Sequence, residues 1–125
     1  MRLMSPKASR KDIDAARALV YSRDGHRCQR CGCSIVDVPS SVHHRKLKGM
    51  GGSGLLESPE NLIRMCGSGT TGCHGWAHGN VEQARAYGWI VRRLQDPADV
   101  PVKTYHGWMT LDTTGGKTPS VGVVA

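Results

Sequence analysis

Between residues 11 and 24, apolar side chains recur at Ile13, Ala16, Leu19 and Val20, the spacing of one helical face. Ser9, with Asp12 three residues on, fits a cap at the start of this helix. The glycine of Arg23-Asp24-Gly25 suits a left-handed terminal residue at its end. The period then changes. Residues 36–42 carry β-branched side chains broken by Pro39, which predicts a short strand entering His43-His44. Asn61-Leu62-Ile63-Arg64-Met65 predicts the strand that returns beside it. After Cys73 a helix is expected, setting His74 and His78 one turn apart on one face. A second short helix is expected from near Asn80, with Gln83 three residues on, to Tyr87-Gly88. Trp89-Ile90-Val91 and residues 102–105 and 108–111 predict the strands of a small C-terminal appendage, the last two hinged at His106-Gly107. Beyond Asp112 the composition is Thr, Gly, Pro and Ser, so residues 113–125 are expected to be disordered. Residues 1–10, polar and basic, are expected to form a loose arm. The pattern describes one α+β domain over residues 11–112, with no internal repeat.

Composition says what must hold that domain together. The chain has 125 residues and no phenylalanine, so its core relies on Trp76, Trp89, Trp108, the tyrosines and scattered aliphatics. A domain this small and this poor in large apolar groups commonly needs a staple such as a metal site. The start, Met-Arg-Leu-Met-Ser-Pro-Lys, lacks the apolar run of a signal peptide, and no stretch is long enough to span a bilayer. The expectation is a cytoplasmic protein without a membrane partner, whose thiols stay reduced and hold metal in preference to forming disulfides. The five cysteines are an odd number, which agrees.

Two cysteine pairs stand out. Cys28-Gln29-Arg30-Cys31-Gly32 is a C-x-x-C turn, in which two thiolates reach one tetrahedral ion and the glycine relieves crowding. The same turn occurs in thiol redox motifs, but those want a thioredoxin-like strand before it and a helix at it. Cys66 and Cys73 supply the second pair. Six residues separate them, and three of these, Gly67, Gly69 and Gly72, would let the loop fold back to bring both sulfurs to one ion. Cys33 is left over and is expected to be a small buried thiol.

Charge adds a partner. Residues 1–50 hold eleven Lys/Arg against four Asp/Glu, and residues 51–125 hold six of each. The whole net charge of +7 therefore lies ahead of and around His43-His44. A basic half of this kind fits a polyanion, nucleic acid before membrane, because no basic amphipathic anchor is present. The bland alternative is a soluble basic surface without a ligand. The glycine-rich run at residues 49–54 lacks the Gly-Lys-Ser/Thr of a phosphate-binding loop. Gly115-Gly116-Lys117-Thr118 lacks the strand before and the helix after, so nucleotide binding is discarded at both.

The chemistry-bearing residues all lie between Ser41 and His78. Hydrolysis of a phosphodiester needs a proton acceptor for water and positive charge at the phosphoryl group and the leaving 3′ oxygen. Neutral histidine is the natural acceptor near neutral pH, and one divalent ion can stabilise the developing charge. Adjacent histidines on a strand point to opposite faces, so one of His43 and His44 can ligate while the other approaches the water. His74 and His78 can complete the metal site. Arg45, Lys46 and Lys48 would hold flanking phosphates. Each part has a plainer reading. A His-His pair is most often two surface residues, Asn61 could merely close a turn, and His74 or His78 could replace a cysteine in the zinc cluster.

In their order, Arg-Asp-Gly-x-x-Cys-x-x-Cys, His43-His44, Pro59-Glu60-Asn61-Leu62 and Cys-His-x-x-x-His resemble an HNH endonuclease carrying a four-cysteine zinc cluster. This is the ββα-metal, treble-clef or His-Me finger nuclease family, and the resemblance covers roughly residues 21–80. It implies that His43 is the first metal ligand, His44 the general base, Asn61 the residue that holds the base in place and His74 the ligand on the helix. His78 falls at a position that either ligates or contacts the scissile phosphate. Cys28, Cys31, Cys66 and Cys73 fall at the structural zinc ligands, with the Cys66–Cys73 loop wider than the family pattern. The implied cofactors are a structural Zn²⁺ and a catalytic divalent ion (Mg²⁺, Mn²⁺, Ni²⁺ or Zn²⁺). The implied activity is a DNA endonuclease or nickase of low sequence specificity. Small HNH proteins of this appearance also resemble those of tailed bacteriophages associated with terminase and DNA packaging, which would place the chain in the host cytoplasm. The competing functions are a non-catalytic zinc-ribbon module that binds nucleic acid, and a packaging adaptor docking through residues 89–111.

Overall fold

The computed structural model describes residues 9–47 and 54–121. Residues 1–8, most of the expected basic arm, lie outside them, as do the glycine-rich run at 49–53 and the last four residues. Helix α1 (Arg10–Asp24) leads to strand β1 (Ser40–His44). Two 3-10 turns, Gly54–Glu57 and Pro59–Asn61, precede β2 (Leu62–Cys66). Helices α2 (Gly72–Gly79) and α3 (Val81–Ala86) follow, then β3 (Val102–Thr104), β4 (Gly107–Leu111) and β5 (Lys117–Pro119). The described residues form a small α+β protein with two separate antiparallel sheets, β1-β2 and β3-β4-β5. Among the described residues no helix is long and apolar enough to cross a membrane.

Helix α1 begins where its cap predicts, with Ser9 Oγ accepting from the Asp12 N–H at 3.1 Å. Arg10 is thus already helical and not part of a loose arm. Gly25 closes the helix at φ 62°, its N–H on the Tyr21 carbonyl. Ala16 and Val20 are buried against Leu62, with Val42 packed beside them. The end of α1 is tied down by a buried ion pair. Arg23 grips Asp24 through Nε at 2.7 Å and also donates to the Pro59 and Leu62 carbonyls, while Asp24 accepts from the Arg64 N–H at 3.0 Å. A helix end and a strand are thereby locked together around charges that burial would otherwise penalise.

The second hydrophobic cluster gathers Ile63 and Met65 of β2, Ala77 of α2, Ala84 of α3, Trp89, Ile90, Val102 and Leu111 around Cys28 and Cys73. Three expectations need correcting here. Asn61 ends a 3-10 turn and does not begin the strand. Trp89-Ile90-Val91 is not a strand, because its backbone is already committed. The Trp89 and Ile90 N–H groups close α3 on the Ala84 carbonyl, and the Val91 N–H reaches the Arg45 carbonyl. The same three residues are buried in the core, so within the 89–111 segment they are not available as a contact surface.

The third correction concerns the tail. It was expected to be disordered from Thr113, yet β5 pairs with β4 in register Leu111↔Lys117. Asp112 Oδ1 accepts from the N–H groups of Thr114 and Gly116 and from the Thr114 hydroxyl. These bonds hold the Asp112 carboxyl below its usual pKa. Gly115 sits directly over Leu19 of α1, where a Cβ would come within 2.9 Å of the leucine. Composition misled because a short hairpin needs turn residues, and Thr-Gly-Gly supplies them.

Candidate metal centres

The cysteine turn and the widened loop converge. Cys28, Cys31, Cys66 and Cys73 place their sulfurs within 4.8 Å of one another. Backbone geometry arranges the first pair: the Cys28 N–H donates to the Cys33 carbonyl and the Gly32 N–H to the Cys28 carbonyl. The second pair depends on two glycines. Gly67 lies at φ 85°, where a Cβ would meet the Thr71 carbonyl oxygen at 2.0 Å, and Gly72 at φ 62° would meet the Cys66 oxygen at 2.7 Å. Only glycine fits these left-handed, crowded positions, and the loop folds back until the Cys73 N–H points at Cys66 Sγ, 3.4 Å away. Cys31 and Cys66 sulfurs stand 4.0 Å apart, close to the ~3.8 Å that tetrahedral Zn–S bonds of about 2.3 Å require.

The electrostatics fit a cation. Burial raises the pKa of Cys28 and, more strongly, of Cys73, whose proximity to Cys28 adds to the effect. Burial also acts to raise Cys31, but its hydrogen bonds with Cys33, Cys28 and Cys73 together outweigh it and lower that thiol to about 7. Four sulfurs this close cannot all ionise without a positive ion among them. The set could hold a metal such as zinc. Cys33 stays outside it, exposed, not buried as expected. Its thiol is pushed up to about 12, mainly by its bond with Cys31. Arg30 closes the cluster from outside, donating to Cys73 Sγ at 3.4 Å while stacking 3.6 Å over the Trp76 ring.

The second group that could hold a metal ion is His43, His74 and His78, whose ligating atoms also lie within 4.8 Å of one another. Strand alternation buries His43 completely, directly across from Ile63, and leaves its neighbour His44 on the other face. His43 Nε2 is 2.6 Å from the Trp89 carbonyl, so it carries the proton. Its Nδ1 is buried and has no hydrogen-bond partner among the described residues. His74 is turned the other way, with Nδ1 2.6 Å from Ser41 Oγ. That leaves Nε2, which stands 3.1 Å from His78 Nε2. Two ring nitrogens on one tetrahedral ion would be ~3.3 Å apart at metal–nitrogen bonds of 2.0–2.1 Å. Burial first, then the neighbouring His74, His78 and Arg45, lowers the His43 pKa to about 3. Burial, with His78 and His44 nearby, lowers that of His74. Both rings are therefore neutral near pH 7, as ligands must be. The orienting partners Trp89 and Ser41 left no trace in the pattern, since one acts through its backbone and the other is an ordinary strand serine.

Around this group the remaining candidates divide. His44 Nε2 is 3.1 Å from Glu57 Oε2, with both side chains largely buried. Asn61 bridges backbone: Oδ1 accepts from the Lys46 N–H at 2.6 Å, and Nδ2 donates to the carbonyls of Leu56 at 2.9 Å and Lys46 at 3.3 Å. Lys46 lies beside them, half-buried. Lys48 lies outside the described residues. Arg45 cannot contact phosphate as expected. It is fully buried and donates to the carbonyls of Gly88, Glu60, Pro97 and Val100. Burial, and then Arg23 nearby, pushes its pKa down to about 9, which still leaves it charged. The arginine next to the histidines is a clasp between β1 and the C-terminal half. With Arg23 and Arg27 also bound to carbonyls, part of the basic excess is structural.

No protein-family model, no curated protein and no solved structure matches this chain.

Proposed function

We propose that this chain is a divalent-metal-dependent DNA endonuclease or nickase of the HNH, or ββα-metal, type. The observation that carries this reading is His43 Nδ1, buried and without a hydrogen-bond partner among the described residues, on a ring grouped with those of His74 and His78. A desolvated ring nitrogen left unpaired costs about 1–3 kcal/mol, a cost a bound cation removes. A plain zinc-ribbon binding module offers no reason for it.

A divalent ion held by the three imidazoles would supply positive charge to the phosphoryl group and the leaving 3′ oxygen. The chain's own residues do the rest. Trp89 and Ser41 turn His43 and His74 so that the right nitrogens face inward. His44, next on β1 and on the other face, takes the proton from the attacking water as general base. Asn61 holds the backbone that leaves β1, two residues past His44. Lys46 neutralises a flanking phosphate, and such contacts position DNA without reading its sequence, so cleavage is of low specificity. In the four-cysteine cluster a structural zinc would bind the first knuckle to β2 and α2.

The test is incubation of the purified, zinc-loaded protein with supercoiled plasmid in Mg²⁺, Mn²⁺, Ni²⁺ or chelator. Relaxed or linear product is expected with metal and none with chelator. Intact plasmid under every metal condition would sink the proposal.

A further inference from the structure

We propose that Glu57 is the positioning residue for His44, its carboxylate accepting the Nε2–H of the imidazole and so fixing the ring's orientation and tautomer. This inference rests on the nuclease reading, in which His44 is the base. Glu57 Oε2 lies 3.1 Å from His44 Nε2, and the two side chains are only 16% and 12% exposed. Water therefore competes weakly for the bond. The second carboxylate oxygen is buried without a hydrogen bond among the described residues and faces Arg17 at 4.0 Å. A cation behind the carboxylate helps hold it oriented toward the ring.

Asn61 and Glu57 divide the task. The asparagine side chain bonds the backbone of Lys46 on one side and the carbonyl of Leu56 on the other. It thus clamps the chain two residues after His44 to the residue immediately before Glu57. Asn61 sets the separation of the two segments, and Glu57 acts on the ring across it. A neutral imidazole carries one proton. When Nε2–H is donated to Glu57, the lone pair is on Nδ1, and one nitrogen is defined as the acceptor for the water proton. A base whose tautomer is unspecified spends part of its time with the wrong nitrogen protonated, which lowers turnover without affecting substrate binding.

The experiment compares the full-length wild type, His44→Ala, Glu57→Ala and Glu57→Gln, each checked for zinc content and fold, in Mn²⁺-dependent plasmid cleavage. Nitrogen-15 NMR of the histidine rings runs alongside. Glu57→Ala should lower kcat by ~10–100-fold, as loss of an orienting partner does, with KM for DNA unchanged, and His44 should lose its single Nε2–H tautomer. Glu57→Gln, whose amide oxygen still accepts the bond, should keep that tautomer and retain more activity than the alanine variant. If His44→Ala is inactive while Glu57→Ala turns over like wild type, or loses only in KM, the positioning role is overturned and the nuclease reading stands. If the wild type itself does not cleave, the nuclease reading fails. The tautomer comparison then decides alone whether Glu57 fixes the ring, an unchanged His44 spectrum in Glu57→Ala overturning it.

Discussion

Cys73 and His74 are consecutive on α2, yet their side chains serve different clusters. Cys73 is buried among the sulfurs, and His74 turns to Ser41 and His78. Neighbours on a helix point about 100° apart, so a single turn of α2 faces both candidate metal centres. The helix is short, from Gly72 to Gly79, and short helices are marginal alone. Its position is set by the Cys66–Cys73 loop, by Ala77 in the core and by whatever the four sulfurs hold. The expected dependence is asymmetric: the histidine group needs α2 placed, and the cysteines alone link the first knuckle, β2 and α2.

That asymmetry gives the first prediction. Cys28→Ser or Cys73→Ser should yield insoluble or molten protein, because metal binding at such a site is largely folding free energy. Cys33→Ser should fold normally. Elemental analysis of the wild type should find one tightly bound zinc per chain. Metal-free folded protein, or collapse of Cys33→Ser, would show that the ligand set is wrong.

Deleting residues 113–125 should destabilise the domain. Truncation removes β5, exposes Leu19 where Gly115 covers it, and takes away Lys117, whose Nζ donates to Gln29 at 2.9 Å. A loss of ~2 kcal/mol corresponds to roughly 5–10 °C in Tm for a domain of this size. Calorimetry that finds the truncated and full chains melting together would contradict the packing described for the tail.

What the sequence disclosed and what it concealed follow a physical line. Helix α1, the β1–β2 hairpin and the one-turn spacing of His74 and His78 were legible because period and turn residues are local. So was the grouping of four cysteines, since glycines at 67 and 72 announce a loop able to fold back. Arg45 was misread because a basic residue beside histidines reads as exposed until the carbonyls of Gly88, Pro97 and Val100, far along the chain, are seen to surround it. Glu57, Trp89 and Ser41 act through contacts across 13, 46 and 33 residues, and no spacing rule marks them. The tail failed for the opposite reason: its composition allowed both coil and hairpin, and packing on Leu19 decided.

Arg45 and Lys46 should therefore part company. Arg45→Ala strands four carbonyls in the interior and should cost about 3 kcal/mol or more. Arg45→Lys should not rescue it, because one ammonium cannot span the acceptors of a planar fork. Lys46→Ala should melt like wild type, and its DNA binding should show a log–log salt slope smaller by about one. Denaturant unfolding and binding across a salt series would check both. An Arg45→Ala protein of native stability with a reduced salt slope would reverse the assignment.

His43 should make stability fall in acid. Its pKa is about 3 in the fold against about 6.5 when unfolded, so between these values the unfolded chain binds the extra proton. Stability from this group is fully present above about 6.5 and is lost as pH falls toward 3. Other groups titrate in the same range, so the comparison is with His43→Gln, without added divalent ion. The wild type should lose about 1.4 kcal/mol more per pH unit than the variant across the middle of that window. Parallel stability curves would mean that His43 is not buried neutral.

The two adjacent histidines should fail differently. If His44 is the base and His43 a ligand, His44→Ala should remove cleavage by the roughly 10²–10⁴-fold that general-base help supplies, while Mn²⁺ or Ni²⁺ still binds, because His43, His74 and His78 keep their group. His43→Ala and His74→Ala should each weaken binding of that ion, and excess metal should restore part of the activity. His43→Ala also frees the Trp89 carbonyl, so its melting must be followed with its metal affinity. In all three the structural zinc should stay, since the cysteine sulfurs form a separate group. Calorimetric titration of each variant beside the plasmid assay separates the roles. Full cleavage by His44→Ala, or wild-type metal affinity in His43→Ala, would exchange or abolish them.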